Sequence, residues 1–118
     1  MVVRVPSYTP AAVAEFTVGM ILTVIRKYCK AYNRVREGNF FLSGLMGTNL
    51  WKIIGIIGTG KIGLLTGKQL SKGFGCTVIA YDPYGPYPSD AAEEHGIVYV
   101  NALEELLARS TLSACIAL

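Results

Sequence analysis

Two hydrophobic rhythms divide the chain. From Ala14 to Tyr32 the apolar residues Ala14, Val18, Ile21, Ile25, Tyr28 and Tyr32 recur at steps of three and four. That is the spacing of one face of an α-helix. Met20, Leu22 and Val24 widen the stripe in its first half, and Arg26, Lys27, Lys30, Arg34 and Arg36 make the second half basic. The pattern predicts one long helix over about residues 10–36. Thr9 is placed to cap it, Pro10 suits the first helical position, and Gly38 is a stop. Val2–Val5 reads as a short extended entry. Asn39–Thr48 is aromatic and glycine-rich without a period, a loop expected to pack on something.

From residue 52 onward the rhythm changes to short, continuous apolar runs: Lys52–Ile57, Cys76–Tyr81, Ile97–Val100 and Thr111–Leu118. Such runs suit strands buried on both faces. Between them fall a helix over about Lys61–Lys72 and a turn-rich loop, Pro83–Pro88. A short helix capped by Ser89 follows, running to about Glu94 and closed by Gly96. Another, capped by Asn101, runs to about Ala108, with Glu104 at capping-box spacing. Alternating strands and helices imply an α/β fold with a parallel sheet and right-handed crossovers.

The strongest chemical signal is Gly58-x-Gly60-x-x-Gly63, between a predicted strand and a predicted helix. Gly58 permits the tight turn, Gly60 lets a pyrophosphate approach the backbone, and Gly63 lets the helix pack close to the sheet. The helix start presents free amides to the phosphates. Asp82 lies nineteen positions after Gly63, at the end of the second strand. The dinucleotide fingerprint places an acid about 20 residues on, where it bonds the ribose hydroxyls. An acid there repels a 2′-phosphate, and Pro83 follows instead of an arginine, so NAD is favoured over NADP. Gly55 to Ile62 nearly fits the triphosphate loop G-x-x-x-x-G-K-[ST], but Ile62 lacks the hydroxyl that holds magnesium. An S-adenosylmethionine site also uses a glycine loop and a strand-end acid; the third glycine favours the dinucleotide. The expectation is a Rossmann-type, doubly wound sheet over about 52–118, preceded by the long helix.

Composition narrows the class. The 118 residues are 52% hydrophobic and 16% charged, which excludes intrinsic disorder. The 13 glycines have no three-residue period and prolines number 5, which excludes collagen. A net charge of +3 is too mild to suggest nucleic acid or a membrane surface as partner. Cys29, Cys76 and Cys115 form no paired motif, so neither a metal site nor a disulfide framework is expected, and reduced thiols suit the cytoplasm. The longest charge-free apolar run, Phe16–Ile25, is shorter than the ~20 residues a membrane helix takes. The N-terminus carries no signal-peptide pattern.

Several segments resemble one family, over nearly the whole chain. Val5-Pro6-Ser7-Tyr8-Thr9-Pro10-Ala11-Ala12-Val13-Ala14-Glu15 is similar to the entry into the first long helix of the NAD-binding domain in the D-isomer-specific 2-hydroxyacid dehydrogenases. Arg34-Val-Arg36-Glu37-Gly38-Asn39-Phe40 resembles the segment after that helix. Gly55-Ile-Ile-Gly-Thr-Gly-Lys-Ile-Gly63 and Ala80-Tyr-Asp-Pro-Tyr84 resemble its cofactor fingerprint, with the D-lactate dehydrogenase branch most similar. The resemblance implies hydride transfer between NAD and a D-2-hydroxy acid such as lactate. Gly58, Thr59, Gly60, Lys61, Ile62, Gly63, Tyr81 and Asp82 are the cofactor residues it implies. It also implies a homodimer through the long helix and a small 2-hydroxy or 2-oxo acid as substrate of a longer parent.

Departures accompany the resemblance. The family's substrate arginine, base-tuning glutamate and catalytic histidine lie beyond the matching stretch, so no catalytic residue is carried over. The substrate domain is also missing. Ala114-Cys115-Ile116-Ala117-Leu118 lacks the family's proline near the cofactor, and Trp51-Lys52 replaces a usual Gly-Lys. The expectation is an incomplete NAD-binding domain over 1–118, with no turnover alone. A non-catalytic NAD-binding regulatory or interaction module is the alternative; a remnant that cannot fold is another. His95, the single histidine, and Arg109 are expected at helix ends, on the last carbonyls. Glu15 is expected as a buried polar anchor or a helix-start acid. Arg26, Lys30 and Arg34 form a solvated stripe.

Overall fold

A computed structural model describes residues 9–45, 47, 53–85 and 93–116. The central strand, β1 (Ile53–Ile57), reads Ile-Ile-Gly-Ile-Ile. Successive side chains of a strand point to opposite faces, so such a run needs cover on both. Both faces are covered. Ile54 and Ile56 join Val78, Ala80, Ile97, Leu64, Leu70, Val18 and Ile21 in one core cluster. Ile53 and Ile57 pack in the other, with Ile79, Val100 and Leu106. The alternation of one strand thus separates two helical layers.

All four strands are parallel. β2 (Thr77–Tyr81) pairs with β1, with Ile53 opposite Thr77 and Ile57 opposite Tyr81. β3 (Ile97–Tyr99) flanks β2, and β4 (Leu112–Cys115) flanks β1, giving the order β3-β2-β1-β4. The order reverses between β1 and β4, the switch point at which open α/β sheets bind ligands beyond their carboxyl ends. The doubly wound, Rossmann-like arrangement matches the sequence reading.

The expected helix over 10–36 is two helices. α1 (Pro10–Arg26) buries Ala14, Val18 and Ile21, as the stripe predicts. Lys27 then adopts a left-handed conformation, φ 55°, and α2 (Tyr28–Arg36) leaves in a new direction with no buried residue. Tyr28 and Tyr32, expected on the apolar face, are exposed. The break lies where a distant segment meets the helix. The returning loop packs its backbone on the end of α1, where a Cβ at Gly47 would stand 2.3 Å from the Ile25 carbonyl. Polar contacts tie the loop down: Lys27 Nζ donates to the Gly44 carbonyl at 3.3 Å, and Arg34 donates to the Phe41 and Ser43 carbonyls. Phe40, Phe41 and Leu42 in that loop are exposed, against the expectation that it packs down. The stop at Gly38 is as expected: Gly38 N–H reaches the Val35 carbonyl and Asn39 N–H the Arg34 carbonyl, a Schellman ending.

Smaller corrections concern caps. The Thr9 hydroxyl makes no capping bond; its carbonyl accepts from the Ala12 and Val13 amides instead. Helix α3 (Lys61–Lys68) runs into a π-helical turn, Gln69–Gly73, which ends close to the expected Lys72. Helix α4 (Leu103–Arg109) starts one residue later than expected, with Ala102 and not Asn101 at its cap. Val100 N–H still bonds the Ala80 carbonyl, so the chain stays extended to that point. Residues 93–95 are helical and Gly96 turns the chain into β3. The Val2–Val5 entry, Lys52, the Ser89 cap, the second half of the 83–88 loop and the last two residues lie outside the described residues. Among the described residues no helix is long and apolar enough to cross a membrane.

Candidate functional site

The carboxyl ends of β1 and β2 are stitched together by a residue that must lack a side chain. Gly58, at φ 92°, donates its N–H to the Tyr81 carbonyl at 2.9 Å. That positive φ disfavours any other residue. The chain then passes Thr59, which is fully buried, and turns at Gly60 into α3.

The three glycines of the loop answer to different demands. A Cβ on Gly63 would stand 2.1 Å from the Gly58 carbonyl oxygen. Side chains cannot approach backbone so closely, so Gly63 is required by the fold itself. A Cβ on Gly60 would meet nothing within 4 Å, and Gly60 is exposed. Packing within the protein therefore gives no reason for glycine at 60.

Helix α3 begins at this opening. Its first intrahelical bond runs from Leu64 N–H to the Gly60 carbonyl at 3.0 Å. The preceding amides of Lys61, Ile62 and Gly63 have no helical acceptor. The first turn holds no acidic residue and the N-cap makes no side-chain bond. The positive end of the helix dipole is left without a carboxylate of its own, as at an anion seat.

Asp82 closes the other side. Its Oδ2 accepts from Thr59 N–H at 2.7 Å and from Thr59 Oγ1 at 2.8 Å, and its Oδ1 accepts from Tyr84 N–H at 3.0 Å. The Thr59 amide bond above all holds this carboxyl below the usual carboxylate range, against the opposing effect of burial; the Tyr84 amide and the Thr59 hydroxyl add to it. Spacing alone did not reveal this bridge across 23 positions. The one available signal was a hydroxyl residue, placed inside the glycine loop opposite a strand-end acid.

Thus Gly58, Thr59, Gly60, Lys61, Ile62, Gly63, Tyr81 and Asp82 gather at one edge of the sheet, the carboxyl edge of β1 and β2. Cys115 reaches the same edge, opposite Ile57, and Ile116 N–H bonds the Ile57 carbonyl. Cys29 and Cys115 are exposed, whereas burial raises the Cys76 thiol pKa. The remaining titratable candidates go elsewhere. His95 and Arg109 precede β3 and β4, at the amino edge of a parallel sheet. The His95 Nδ1 is buried with no hydrogen-bond partner among the described residues, not on a helix-end carbonyl. Arg109 pairs with Glu105 at 2.7 Å, also in place of the expected carbonyls. Glu15 is exposed along α1 and lies beyond its first turn, so neither expected role holds.

Comparison with known proteins bears on the whole arrangement. Residues 18–117 match the family model described as D-isomer specific 2-hydroxyacid dehydrogenase, NAD binding domain. The chain is 49% identical over 110 residues to a 2-hydroxyacid dehydrogenase homolog of Haemophilus influenzae, covering 92% of this chain and 32% of the relative. It is 50% identical over 101 residues to the D-lactate dehydrogenase of Escherichia coli, covering 85% and 30%. Among solved structures, Salmonella D-lactate dehydrogenase superposes with a TM-score of 0.85 at 46% identity, covering 98% of this chain and 34% of that one. The D-lactate dehydrogenase of Aquifex aeolicus, solved with NAD and lactic acid, superposes with a TM-score of 0.84 at 34% identity, covering 96% and 33%. The chain spans about a third of the length of these relatives.

Proposed function

The chain belongs to the D-isomer-specific 2-hydroxyacid dehydrogenase family, in its NAD-binding domain, and we propose that it holds NAD at the carboxyl edge of its sheet. In this reading it is the cofactor-binding part of an oxidoreductase acting on the CH–OH group of D-2-hydroxy acids of the lactate and pyruvate type. The Aquifex relative solved with NAD and lactic acid supports both the cofactor and the substrate class.

The observation that carries the reading is the contrast between two glycines. Gly63 is demanded by the protein's own backbone, whereas Gly60 opens onto space. A missing side chain that serves no internal packing serves something outside, and the free amides of Lys61 and Ile62 beside it suit a pyrophosphate. Gly58 holds the turn that aims those amides. Asp82, with Tyr81 beside it, takes the adenosine ribose, and its negative charge disfavours a 2′-phosphate. Bound NAD supplies the carbon that accepts or donates hydride. The chain's residues bind and orient it. They do not supply the acid–base partner: His95 stands at the opposite edge of the sheet, about 10 Å away along the three-residue strand β3.

The same reading gives a homodimer formed through α1, whose outer face exposes Phe16, Met20 and Val24 while its inner face is buried. It places the protein in the cytoplasm, where the exposed thiols of Cys29 and Cys115 stay reduced.

A thermal melt of the chain with and without millimolar NADH or NADPH tests the cofactor. A ligand that binds only the folded state adds about 2.7 kcal/mol at a hundredfold excess over Kd. A melt raised by NADH more than by NADPH, with no NADH oxidation on adding pyruvate, is expected. A melt that neither cofactor moves would sink the reading.

A further inference from the structure

Thr59 is 0% exposed, a polar residue sealed inside a loop whose neighbour Gly60 is open. A buried hydroxyl needs a partner. Here the partner is a carboxylate oxygen that the same residue's amide already bonds. An ionised carboxylate offers about four lone-pair sites, two on each oxygen. Thr59 fills both sites on Oδ2, and Tyr84 fills one on Oδ1. Among the described residues one site on Oδ1 is left.

We propose that Thr59 is a positioning residue that sets the cofactor preference of this site: by pinning Oδ2 of Asp82 to the glycine loop, it leaves Oδ1 as the single acceptor for the adenosine ribose. The proposal rests on the reading of the loop as an NAD site. A free 2′-hydroxyl has a proton to donate to that remaining lone pair. A 2′-phosphate brings its charge against a carboxylate that the two Thr59 bonds keep from turning away. With the hydroxyl deleted, Oδ2 keeps only the Thr59 amide, and Asp82 gains latitude about its side-chain torsions. It then holds a ribose hydroxyl less well and yields more readily to a phosphate.

Calorimetric titration of NADH and NADPH into the wild-type chain, Thr59→Val and Thr59→Ser tests this. Valine keeps the branched shape and removes the hydroxyl; serine keeps the hydroxyl. Thr59→Val is expected to weaken NADH binding by about tenfold, the scale of one hydrogen bond to a charged group, without weakening NADPH. Thr59→Ser is expected to retain the wild-type ratio. In an Asp82→Asn background, Thr59→Val should change the ratio no further, which a merely structural role would not produce. If the valine variant does not melt cooperatively, Thr59→Ala makes the same deletion without added bulk. An unchanged ratio in a folded variant lacking the hydroxyl overturns the role of Thr59 and leaves the NAD reading standing. A wild-type chain that binds neither cofactor overturns both.

Discussion

Asp82 and Thr59, 23 positions apart, are joined twice: one carboxylate oxygen accepts both the amide and the hydroxyl of the same threonine, at 2.7 and 2.8 Å. The pair links the end of β2 to the glycine loop after β1. It converts two local motifs, a loop and a strand-end acid, into one rigid edge.

The bridge makes stability depend on acid. Asp82 titrates below its ordinary value in the folded chain, chiefly because the Thr59 amide favours the ionised form. Its contribution is therefore complete above the unfolded value of about 3.9 and is lost as pH falls through the lower folded value. Comparing urea unfolding of the wild type and Asp82→Asn from pH 7 down to pH 3 checks this. The wild-type advantage should shrink below about pH 4. A difference between the two that stays constant with pH would contradict it.

Gly60 and Gly63 should fail in opposite ways. Gly63→Ala forces a Cβ against the Gly58 carbonyl and is expected to cost about 1–3 kcal/mol of stability as well as cofactor binding. Gly60→Ala meets no protein atom, so its stability cost stays within about 1 kcal/mol, the scale of a helix-cap change. Its NADH affinity should nonetheless collapse. Melts and titrations on both variants separate the two effects.

Residue 27 tests the helix break. Inside a continuous helix, glycine is about 1 kcal/mol worse than alanine. At the left-handed φ of 55°, an alanine Cβ costs about 1–2 kcal/mol that glycine avoids. Lys27→Gly is therefore expected to be more stable than Lys27→Ala in chemical denaturation. The reverse order would restore the single helix that periodicity predicts.

The outer face of α1 is the proposed dimer surface. Phe16→Glu places a charge at the most exposed of its large apolar residues and should shift sedimentation to a monomer while leaving the NADH-dependent melt in place. A wild-type chain already monomeric at high concentration would rule the surface out.

Much of the fold was legible in the sequence because its signals are local. Ile53–Ile57 and Thr77–Tyr81 read as strands because burial on both faces demands unbroken apolar runs. The spacing of Gly58, Gly60 and Gly63 ahead of an acid at 82 located the candidate site, because a missing Cβ is written into the residue type. Helix α1 was legible through its buried face, Ala14, Val18 and Ile21. Other features belong to tertiary structure. Lys27 carries no breaker signal, and the contacts at the break, Lys27 with Gly44 and Ile25 with Gly47, are with a distant part of the chain. The exposure of Tyr28 and Tyr32 follows from that break. Strand order, and with it the meeting of Thr59 and Asp82, depends on which strands share an edge, a choice that side-chain periodicity does not encode. The sequence by itself determined what each segment could become, through alternation, glycine placement and charge. The tertiary structure decided which partners those segments met, because hydrogen bonds and close packing between distant residues form only once the chain has returned on itself.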